Sequence, residues 1–319
     1  MQGTTKAFVL GAGLGTRLRP LTDKLPKPLV PVWNRPLLTC ALDHLIEDLG
    51  VGEFLVNTHH CPEAYEVAFP DGTYRDRSLQ FRHEPVLLDT AGGIDNIRDW
   101  LPADESFVVY NGDILTDLPL GAAWERHRRS GALVTMVLRS SGDELRVGFD
   151  PETESIVDLR GVLRPDWTER FQFTGIYFVH PRFLDFLERG KIESVVFPIL
   201  RAIEAGEQVS GHVADEGTWS DLGERGAYLD ALAHFAAGFR GRSGDRISDS
   251  ATIESGAEVD SLTSIGERVT VEAGARIEQS VIWSDATIRA GAVLKRSVVM
   301  GGEISEGEWI DRDLGKQCS

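Results

Sequence analysis

The chain has 319 residues, 42% of them apolar, which is enough to bury a large core in one domain or in two unequal ones. Fifty acidic residues against 33 basic ones give a formal net charge of -17 without a concentrated basic stripe, so nucleic acid is not expected as a partner. The sequence shows no apolar run of membrane-spanning length, no export leader and no CxxC spacing, which predicts a cytoplasmic protein that binds no membrane.

Between Lys6 and about Phe239, short β-branched runs alternate with longer amphipathic stretches. The predicted strands are Lys6–Leu10, Glu53–Asn57, Ser78–Arg82, Phe107–Asn111, Ala132–Leu138 and Phe173–His180. The predicted helices are Leu37–Leu49, Pro62–Phe69, Ala91–Trp100, Ala122–Arg129, Pro181–Leu187, Val195–Ala205 and Arg225–Ala237. This alternation predicts an α/β fold with a Rossmann-like, mostly parallel sheet flanked by helices.

After Gly238 the spacing of the apolar residues changes to six. The large aliphatic positions are Ile247, Ile253, Val259, Ile265, Val271 and Ile277 and, after a slip of one residue, Ile282, Ile288, Leu294 and Met300. Small residues stand two positions before most of them, at Ala251, Ala257, Ala275, Ser280, Ala286 and Ala292. The fixed step predicts a left-handed parallel β-helix of about three coils rather than a run of hairpins, and two domains, residues 1–240 and 241–319.

The first predicted strand ends in a turn that contains Gly11, Gly13 and Gly15, where the backbone must bend tightly and can expose its amides to an anion. The third glycine of the dinucleotide fingerprint is missing and no GKT or GKS follows, so neither that fingerprint nor a Walker loop fits. Prolines then hold Lys27 in an extended loop. Together with Arg17, this lysine places two cations beside an anion-binding turn, as phosphoryl chemistry requires.

Two aspartates follow short apolar stretches. Asp113 comes after the predicted strand Phe107–Asn111, at the edge of the sheet where open α/β folds bind ligands. Asp221 precedes the last predicted helix. Each aspartate alone could simply cap a turn, but two carboxylates from distant segments are enough for Mg²⁺, which completes its coordination with water and phosphate oxygens.

The segments GAGLGTRLRPLT and LPKPLVPV together resemble the signature of the sugar-1-phosphate nucleotidylyltransferase family. The resemblance implies that Arg17 and Lys27 neutralise the reacting phosphates, and that catalytic Asp113, in an NGD motif, holds Mg²⁺ together with Asp221, in a WSDLG motif. It also implies a triphosphate loop made of Gly11, Ala12, Gly13, Gly15 and Thr16. The motifs are most similar to those of mannose-1-phosphate guanylyltransferases and N-acetylmuramate-1-phosphate uridylyltransferases that carry a C-terminal hexapeptide-repeat domain.

The same resemblance implies which residues meet the base and the sugar. The expected base contacts are Thr90, Ala91 and Gly92, and the expected sugar contacts are Asn111, Thr174 and Gly175. Many members also grip the sugar phosphate with the lysine of a Glu-Lys-Pro motif, but no lysine occurs between Val147 and Phe171. Either Arg160, Arg164 or Arg170 replaces it, or the chain is similar to the subgroup that manages without this lysine.

The predicted function is a Mg²⁺-dependent transfer of a nucleoside monophosphate from a nucleoside triphosphate to a sugar 1-phosphate, which yields an NDP-sugar and pyrophosphate. A mannose-type sugar with GTP is slightly preferred, and a homo-oligomer is expected. The alternatives are a uridylyl- or thymidylyltransferase for another hexose 1-phosphate and a non-catalytic regulatory homologue. A tail with acyltransferase activity would need a histidine base, and no histidine follows His234. A glycosyltransferase would normally show a DxD metal motif, whereas the predicted strand Phe107–Asn111 ends in NGD. Both functions are therefore disfavoured.

Overall fold

The computed structural model describes residues 4–235 and 246–315. The strands of the first part, in chain order, are β1 (Lys6–Leu10), β2 (Pro31–Val32), β3 (Arg35–Pro36), β4 (Glu53–Thr58), β5 (Thr73–Tyr74), β6 (Arg77–His83), β7 (Phe107–Asn111), β8 (Ile114–Thr116), β9 (Val134–Arg139), β10 (Leu145–Asp150), β11 (Ser155–Leu159), β12 (Arg170–Val179), β13 (Val209–Val213) and β14 (Trp219–Asp221). The helices are α1 (Leu37–Leu49), α2 (Glu63–Ala68), α3 (Asp89–Asp95), α4 (Gly121–Ser130), α5 (Val196–Glu204) and α6 (Arg225–Phe235), with short 3-10 helices at Thr16–Leu18, Lys27–Leu29 and Pro181–Phe186.

By its internal contacts the chain divides into two compact units. The first unit comprises the described residues of Met1–Leu14 and Cys40–Trp219, and the second unit those of Gly15–Thr39 and Ser220–Ser319. The glycine turn after β1 is thus divided, with its first part in the first unit and Gly15 in the second. No helix in the described part of the chain is long and apolar enough to cross a lipid bilayer.

The first unit contains a ten-stranded sheet in the order β10-β11-β13-β9-β12-β7-β1-β4-β6-β5. Strands β7, β1, β4 and β6 are parallel, as predicted for this fold class, whereas β12 runs antiparallel to β7, β9 and β10. The sheet is therefore mixed beyond β7. Strands β10, β11 and β13 were not predicted, because their short segments carry charged residues or glycine among the apolar ones.

A large apolar cluster packs against the sheet. Phe8 in β1, Val109 in β7 and Tyr177 in β12 belong to one buried cluster, to which α3 contributes Ile94 and α5 contributes Ile199. The aliphatic and aromatic side chains of this cluster are buried and closely packed, and this packing holds the strands rigidly. Their carboxyl ends therefore offer a fixed edge for the polar residues that follow them.

Two predicted helices differ from the structure in type or by more than one residue in their bounds. The segment predicted at Pro181–Leu187 is the 3-10 helix Pro181–Phe186, and α3 begins two residues before the predicted start and ends at Asp95. The last predicted helix forms from Arg225, but its predicted end at Ala237 lies outside the described residues. The predicted domain boundary at residue 240 also lies outside them.

Residues 247–314, here called the repeat region, form three parallel four-stranded sheets. The strands are β15 (Thr252–Ile253), β16 (Glu258–Val259), β17 (Ser264–Ile265), β18 (Thr270–Val271), β19 (Arg276–Glu278), β20 (Val281–Ile282), β21 (Ala286–Ile288), β22 (Ala292–Lys295), β23 (Val298–Val299), β24 (Gly302–Ile304), β25 (Gly307–Ile310) and β26 (Asp313–Leu314). The sheets are β15-β18-β21-β24, β16-β19-β22-β25 and β17-β20-β23-β26, so each strand pairs with the third strand after it.

The interior of the repeat region follows most of the predicted positions. The aliphatic residues Ile265, Val271, Ile277, Ile282, Ile288 and Leu294 are buried in one cluster. Met300 is a wrong prediction, because Val299 pairs with Ile282 and occupies the inner position. Ile253 is 36% exposed, since its strand is at the edge of its sheet.

Candidate active site

The glycine turn after β1 is tied into the first unit. The amide of Gly11 donates to Asn57 Oδ1 at 2.8 Å, and the Tyr65 hydroxyl donates to the carbonyl of Gly11 at 3.0 Å. A Cβ at Gly11 would lie 2.8 Å from the carbonyl oxygen of Asn57. The expectation of a bare amide at Gly11 is therefore wrong, and close packing explains this glycine. Ala12 is buried as well, whereas Gly13 is exposed.

A buried hydrogen-bond network joins this turn to the loop after β6. Asn57 Nδ2 donates to Glu84 Oε1 at 2.8 Å, and Glu84 Oε2 accepts from the amide of Leu88 at 3.2 Å. Burial raises the pKa of Glu84, against these two hydrogen bonds, which favour its charged form. No role was predicted for Asn57 and Glu84, although a polar residue at the end of a buried strand was the available signal.

The residues expected to contact the nucleobase are bound to a neighbouring segment of the first unit. Thr90 Oγ1 accepts from the amide of Val195 at 2.7 Å. The amides of Ala91 and Gly92 donate to the carbonyl of Glu193 at 2.9 and 3.3 Å. These two amides are thus already hydrogen-bonded within the protein, and these bonds fix the shape of the loop.

The turn after β7 presents Asp113 beyond the end of the strand. The amide of Gly112 donates to the carbonyl of Leu10 at 2.9 Å, and a Cβ at Gly112 would lie 2.8 Å from that same oxygen. A larger residue would displace the chain from β1 here. Glycine therefore lets the NGD turn pass next to β1, and Asp113 follows it as a half-buried residue at the carboxyl edge of the sheet.

The structure brings Asn111 beside Gly175 of β12. Gly175 has a φ of 84°, and a Cβ there would lie 2.7 Å from Asn111 Nδ2. The neighbouring Thr174 is buried, donates to the carbonyl of Val137 at 2.8 Å, and accepts from Trp219 Nε1 through its own carbonyl at 2.7 Å. Asn111 and Gly175 are thus in close contact, whereas Thr174 anchors the strand.

One of the arginines considered as a replacement for the missing lysine is committed elsewhere. The Arg170 guanidinium pairs with Asp158 at 2.6 Å and donates to the carbonyls of Trp167 and Arg164 at 3.0 Å each. Burial opposes the ionisation of Asp158, but Arg170 and nearby backbone amides outweigh it and lower the pKa of this carboxyl group. This network closes the loop before β12 and leaves Arg160 and Arg164 as exposed candidates.

Three charged residues from two distant segments meet in the second unit. Lys27 Nζ lies 2.9 Å from Asp221 Oδ1, and Arg17 Nη2 lies 3.1 Å from Asp221 Oδ2. The Lys27 side chain is 6% exposed and that of Arg17 is 62% exposed. Although burial opposes ionisation, Lys27 and Arg17 lower the pKa of Asp221. A Cβ at Gly223 would lie 2.7 Å from Arg17 Cζ, so the glycine of the WSDLG motif makes room for the guanidinium.

Gly15 and Thr16, both predicted to meet the triphosphate, lead into the 3-10 helix that carries Arg17. Gly15 has a φ of 61°, a left-handed conformation that glycine adopts without strain. Its carbonyl accepts from Thr22 Oγ1 at 2.8 Å. This local bond fixes the bend that turns the chain toward Lys27, while Thr16 is exposed.

Comparison with known proteins identifies the family. Residues 6–238 match the family described as nucleotidyl transferase, and residues 245–313 match the one described as the GMPPB C-terminal domain. The first match spans well over half of the chain. The chain belongs to the nucleotidyl transferase family. The resemblance inferred from its motifs is thereby confirmed, and with it the enzyme class.

Relatives of this nucleotidyl transferase include a mannose-1-phosphate guanylyltransferase of Mycobacterium tuberculosis, 30% identical over 302 residues that cover 91% of this chain and 83% of the relative. A UTP–glucose-1-phosphate uridylyltransferase of Synechocystis is 29% identical over 248 residues. The matched part covers 71% of this chain and 62% of that relative. A crystal structure described as a glucose-1-phosphate thymidylyltransferase of Bacillus anthracis has a TM-score of 0.65 at 18% identity, covering 75% of this chain and 98% of the other. This last likeness concerns the fold.

Nucleotidyl transferases of this family generally use a divalent metal ion. Within residues 4–235 and 246–315, no group of three or more His, Cys, Asp and Glu side chains could hold one. Carboxylate oxygens are the donors that hard divalent cations prefer, and one or two of them suffice for Mg²⁺. Asp113 and Asp221 are of this type, and the lowered pKa of Asp221 keeps it ionised.

Proposed function

We propose that the protein transfers a nucleoside monophosphate from a nucleoside triphosphate to a sugar 1-phosphate, with release of pyrophosphate. The observation that carries this proposal is the contact of both Arg17 and Lys27 with Asp221, across as many as 204 positions of the chain. The two segments of the predicted signature thus meet in one group of Arg17, Lys27 and Asp221, here called the charged cluster. A regulatory homologue without chemistry would have no need for these charges together.

We propose GTP and mannose 1-phosphate as the preferred substrates. The guanylyltransferase relative matches 91% of this chain, whereas the uridylyltransferase relative matches 71%. The longer match favours the substrates of the first. A uridylyl- or thymidylyltransferase acting on another hexose 1-phosphate is the alternative.

In the proposed mechanism, an oxygen of the sugar phosphate attacks the α-phosphorus in line, and the bond from that phosphorus to the pyrophosphate oxygen breaks. The attacking phosphate is already ionised, so no general base is required. Lys27, buried and held by Asp221, provides a fixed positive charge, and the exposed Arg17 provides a second one for the reacting phosphates. Positioning and charge neutralisation then account for the catalysis.

We propose Mg²⁺ as the metal, with Asp113 and Asp221 as its protein ligands. Bound there, it would neutralise the charge of the phosphate oxygens. Support comes from the donor type of both residues, the lowered pKa of Asp221 and the position of Asp113 at the carboxyl edge of the sheet.

The remaining contacts are assigned by the same proposal. We assign the triphosphate to Gly11, Ala12, Gly13, Gly15 and Thr16, of which Gly11 serves through the shape of the turn. The base is assigned to the loop of Thr90, Ala91 and Gly92, and the sugar to Asn111, Thr174 and Gly175. The close contact of Asn111 with Gly175 supports the last assignment.

We also propose that the repeat region is a left-handed parallel β-helix that follows a catalytic domain ending near residue 240, and that the protein is a homo-oligomer. The support is the pairing of every strand with the third strand after it, which one strand per side of a three-sided coil produces. The buried aliphatic row inside these sheets agrees with such a coil.

Pyrophosphate release from a matrix of substrates tests the proposal. The matrix combines GTP, UTP, dTTP, ATP and CTP with the 1-phosphates of mannose, glucose, N-acetylglucosamine and N-acetylmuramate, in the presence of Mg²⁺. We expect GTP with mannose 1-phosphate to be fastest. A faster reaction with UTP or dTTP would replace the substrates and keep the reaction, whereas silence throughout the matrix would favour the non-catalytic homologue.

A further inference from the structure

One face of the repeat region is covered within the second unit. On the sheet β17-β20-β23-β26, the residues Ser264, Val281 and Val298 are buried although they lie outside the inner aliphatic cluster. On the adjacent sheet, the corresponding outer residues Glu258 and Arg276 are exposed. The burial of Val281 and Val298 therefore comes from the outer side of this one sheet.

The first segment that contacts this sheet is the hairpin β2–β3, which follows the 3-10 helix of Lys27. Its two tip residues, Trp33 and Asn34, have φ values of 47° and 61°. Two-residue hairpin turns need such left-handed conformations, and asparagine tolerates them well. From the tip, Asn34 Nδ2 donates to the carbonyl of Ile265 in β17 at 2.7 Å. The Lys27 side of the charged cluster is thus bonded to the repeat region.

The second segment is α6, which begins shortly after Asp221. Its first residue, Arg225, donates to the carbonyl of Asp311 at 2.5 Å. Farther along the helix, Asp230 pairs with Arg296 at 2.7 Å. These two partners stand two positions before strands β26 and β23, at the corners that lead into the covered sheet. The Asp221 side of the cluster is therefore bonded to the corners that lead into the sheet contacted by the hairpin.

We propose that this sheet of the repeat region is a scaffold that fixes Lys27 relative to Asp221, with Asn34 as the positioning residue on the Lys27 side. Two segments distant in sequence are each bonded to one rigid sheet, so their relative placement no longer depends on the ion pair alone. Catalysis by fixed charges depends on such placement, because charges that must first reorganise stabilise a transition state less. The inference rests on the proposed function, in which this pair meets the phosphates.

Two substitutions of Asn34 test the scaffold. Asn34→Asp keeps the size of the side chain, but a carboxylate cannot donate to a carbonyl, and Asn34→Gly keeps the turn while removing the side chain. We expect each to lower kcat by about tenfold with both KM values within about twofold, because misplaced charges slow the chemical step more than they weaken binding. Arg289→Ala is the control, since it breaks exposed ion pairs with Glu272 and Glu303 on another sheet, and it should leave kcat unchanged.

Amide hydrogen exchange provides a readout that needs no activity. In both Asn34 variants, exchange should become faster across residues 15–39 and stay as slow as in the wild type across residues 264–299. Unchanged exchange with unchanged kcat would overturn the scaffold, and so would faster exchange in both segments, which reports general destabilisation. Faster exchange confined to residues 15–39, in a protein inactive throughout the substrate matrix, would keep the scaffold and reject the proposed function.

Discussion

The two units organise their polar residues in different ways. At the edge of the large sheet in the first unit, Asn57 and Glu84 are buried and hydrogen-bonded to each other and to the backbone. In the second unit, Arg17, Lys27 and Asp221 are joined by ion pairs; the Arg17 side chain is mostly exposed, that of Asp221 is partly exposed and that of Lys27 is buried. The first arrangement gives a loop its shape, whereas the second assembles charge.

This difference teaches where substitutions should act. A buried hydrogen bond that loses one partner leaves a desolvated polar group, which costs folding free energy. Exposed ion pairs contribute little to folding, because solvent screens them, yet the same charges matter when a substrate phosphate is present. We therefore expect stability to depend on the network in the first unit and turnover to depend on the charges.

The substitution Asp113→Asn should have the largest effect on turnover, and it tests this comparison most directly. Asp113 is a residue of the first unit to which we assign chemistry, and the substitution removes its charge while keeping its shape. Turnover should fall by about 10²- to 10³-fold, the size typical of losing one group that stabilises a transition state. Pyrophosphate release at saturating Mg²⁺ measures this, with a melting curve as the check on folding. A variant that keeps most of its turnover would remove Asp113 from the metal site.

Lys27→Met should have the next largest effect. It keeps most of the buried stem of the side chain and removes the charge that contacts Asp221, so kcat should fall by about 10²-fold. The matched control is Lys295→Met, which removes a half-exposed lysine that pairs with Glu278. That control should change kcat by less than about twofold. Equal losses in the two variants would show that Lys27 has no special part in the chemistry.

Asn57→Ala sharpens the other side of the comparison. It deprives the Gly11 amide and Glu84 Oε1 of their partner, so the free energy of unfolding should fall by about 2–3 kcal/mol, with less than about tenfold loss in kcat of the folded enzyme. Urea unfolding followed by circular dichroism measures the change. Asn96→Ala is the control, since the Asn96 side chain makes no hydrogen bond among the described residues; a loss equal to that of Asn57→Ala would rule out a special role for the network.

Much of the fold could be predicted because its signals are local. Strands such as Phe107–Asn111 consist of apolar β-branched and aromatic runs, and the step of six in the tail predicted the buried row from Ile265 to Leu294. Met300 was chosen over Val299 because a constant step does not show where a coil becomes shorter. Only the pairing of Val299 with Ile282 shows this.

The site was predictable to the extent that its residues belong to motifs. Arg17, Lys27 and Asp221 were found in this way, and the structure brings these three together. The network of Asn57 and Glu84 was missed because it depends on β1, β4 and β6 being neighbours, and the order of strands in a sheet is not written in any one segment. The occupied amides of Ala91 and Gly92 were missed for the same reason, since their acceptor is the carbonyl of the distant Glu193.

The smallest expected effect concerns the contribution of the charged cluster to stability. Because its cationic neighbours lower the pKa of folded Asp221, this residue stabilises the fold at pH values above its unfolded pKa of about 3.9, and that contribution disappears as the pH falls through the lower folded value. Asp221→Asn should therefore cost only about 1 kcal/mol near pH 7, since the carboxylate is partly screened by solvent. Urea unfolding of both proteins from pH 7 to pH 3 should show the two free energies converging toward the acid end. A difference that stays constant or grows on acidification would mean that Lys27 and Arg17 do not stabilise the charged form of Asp221.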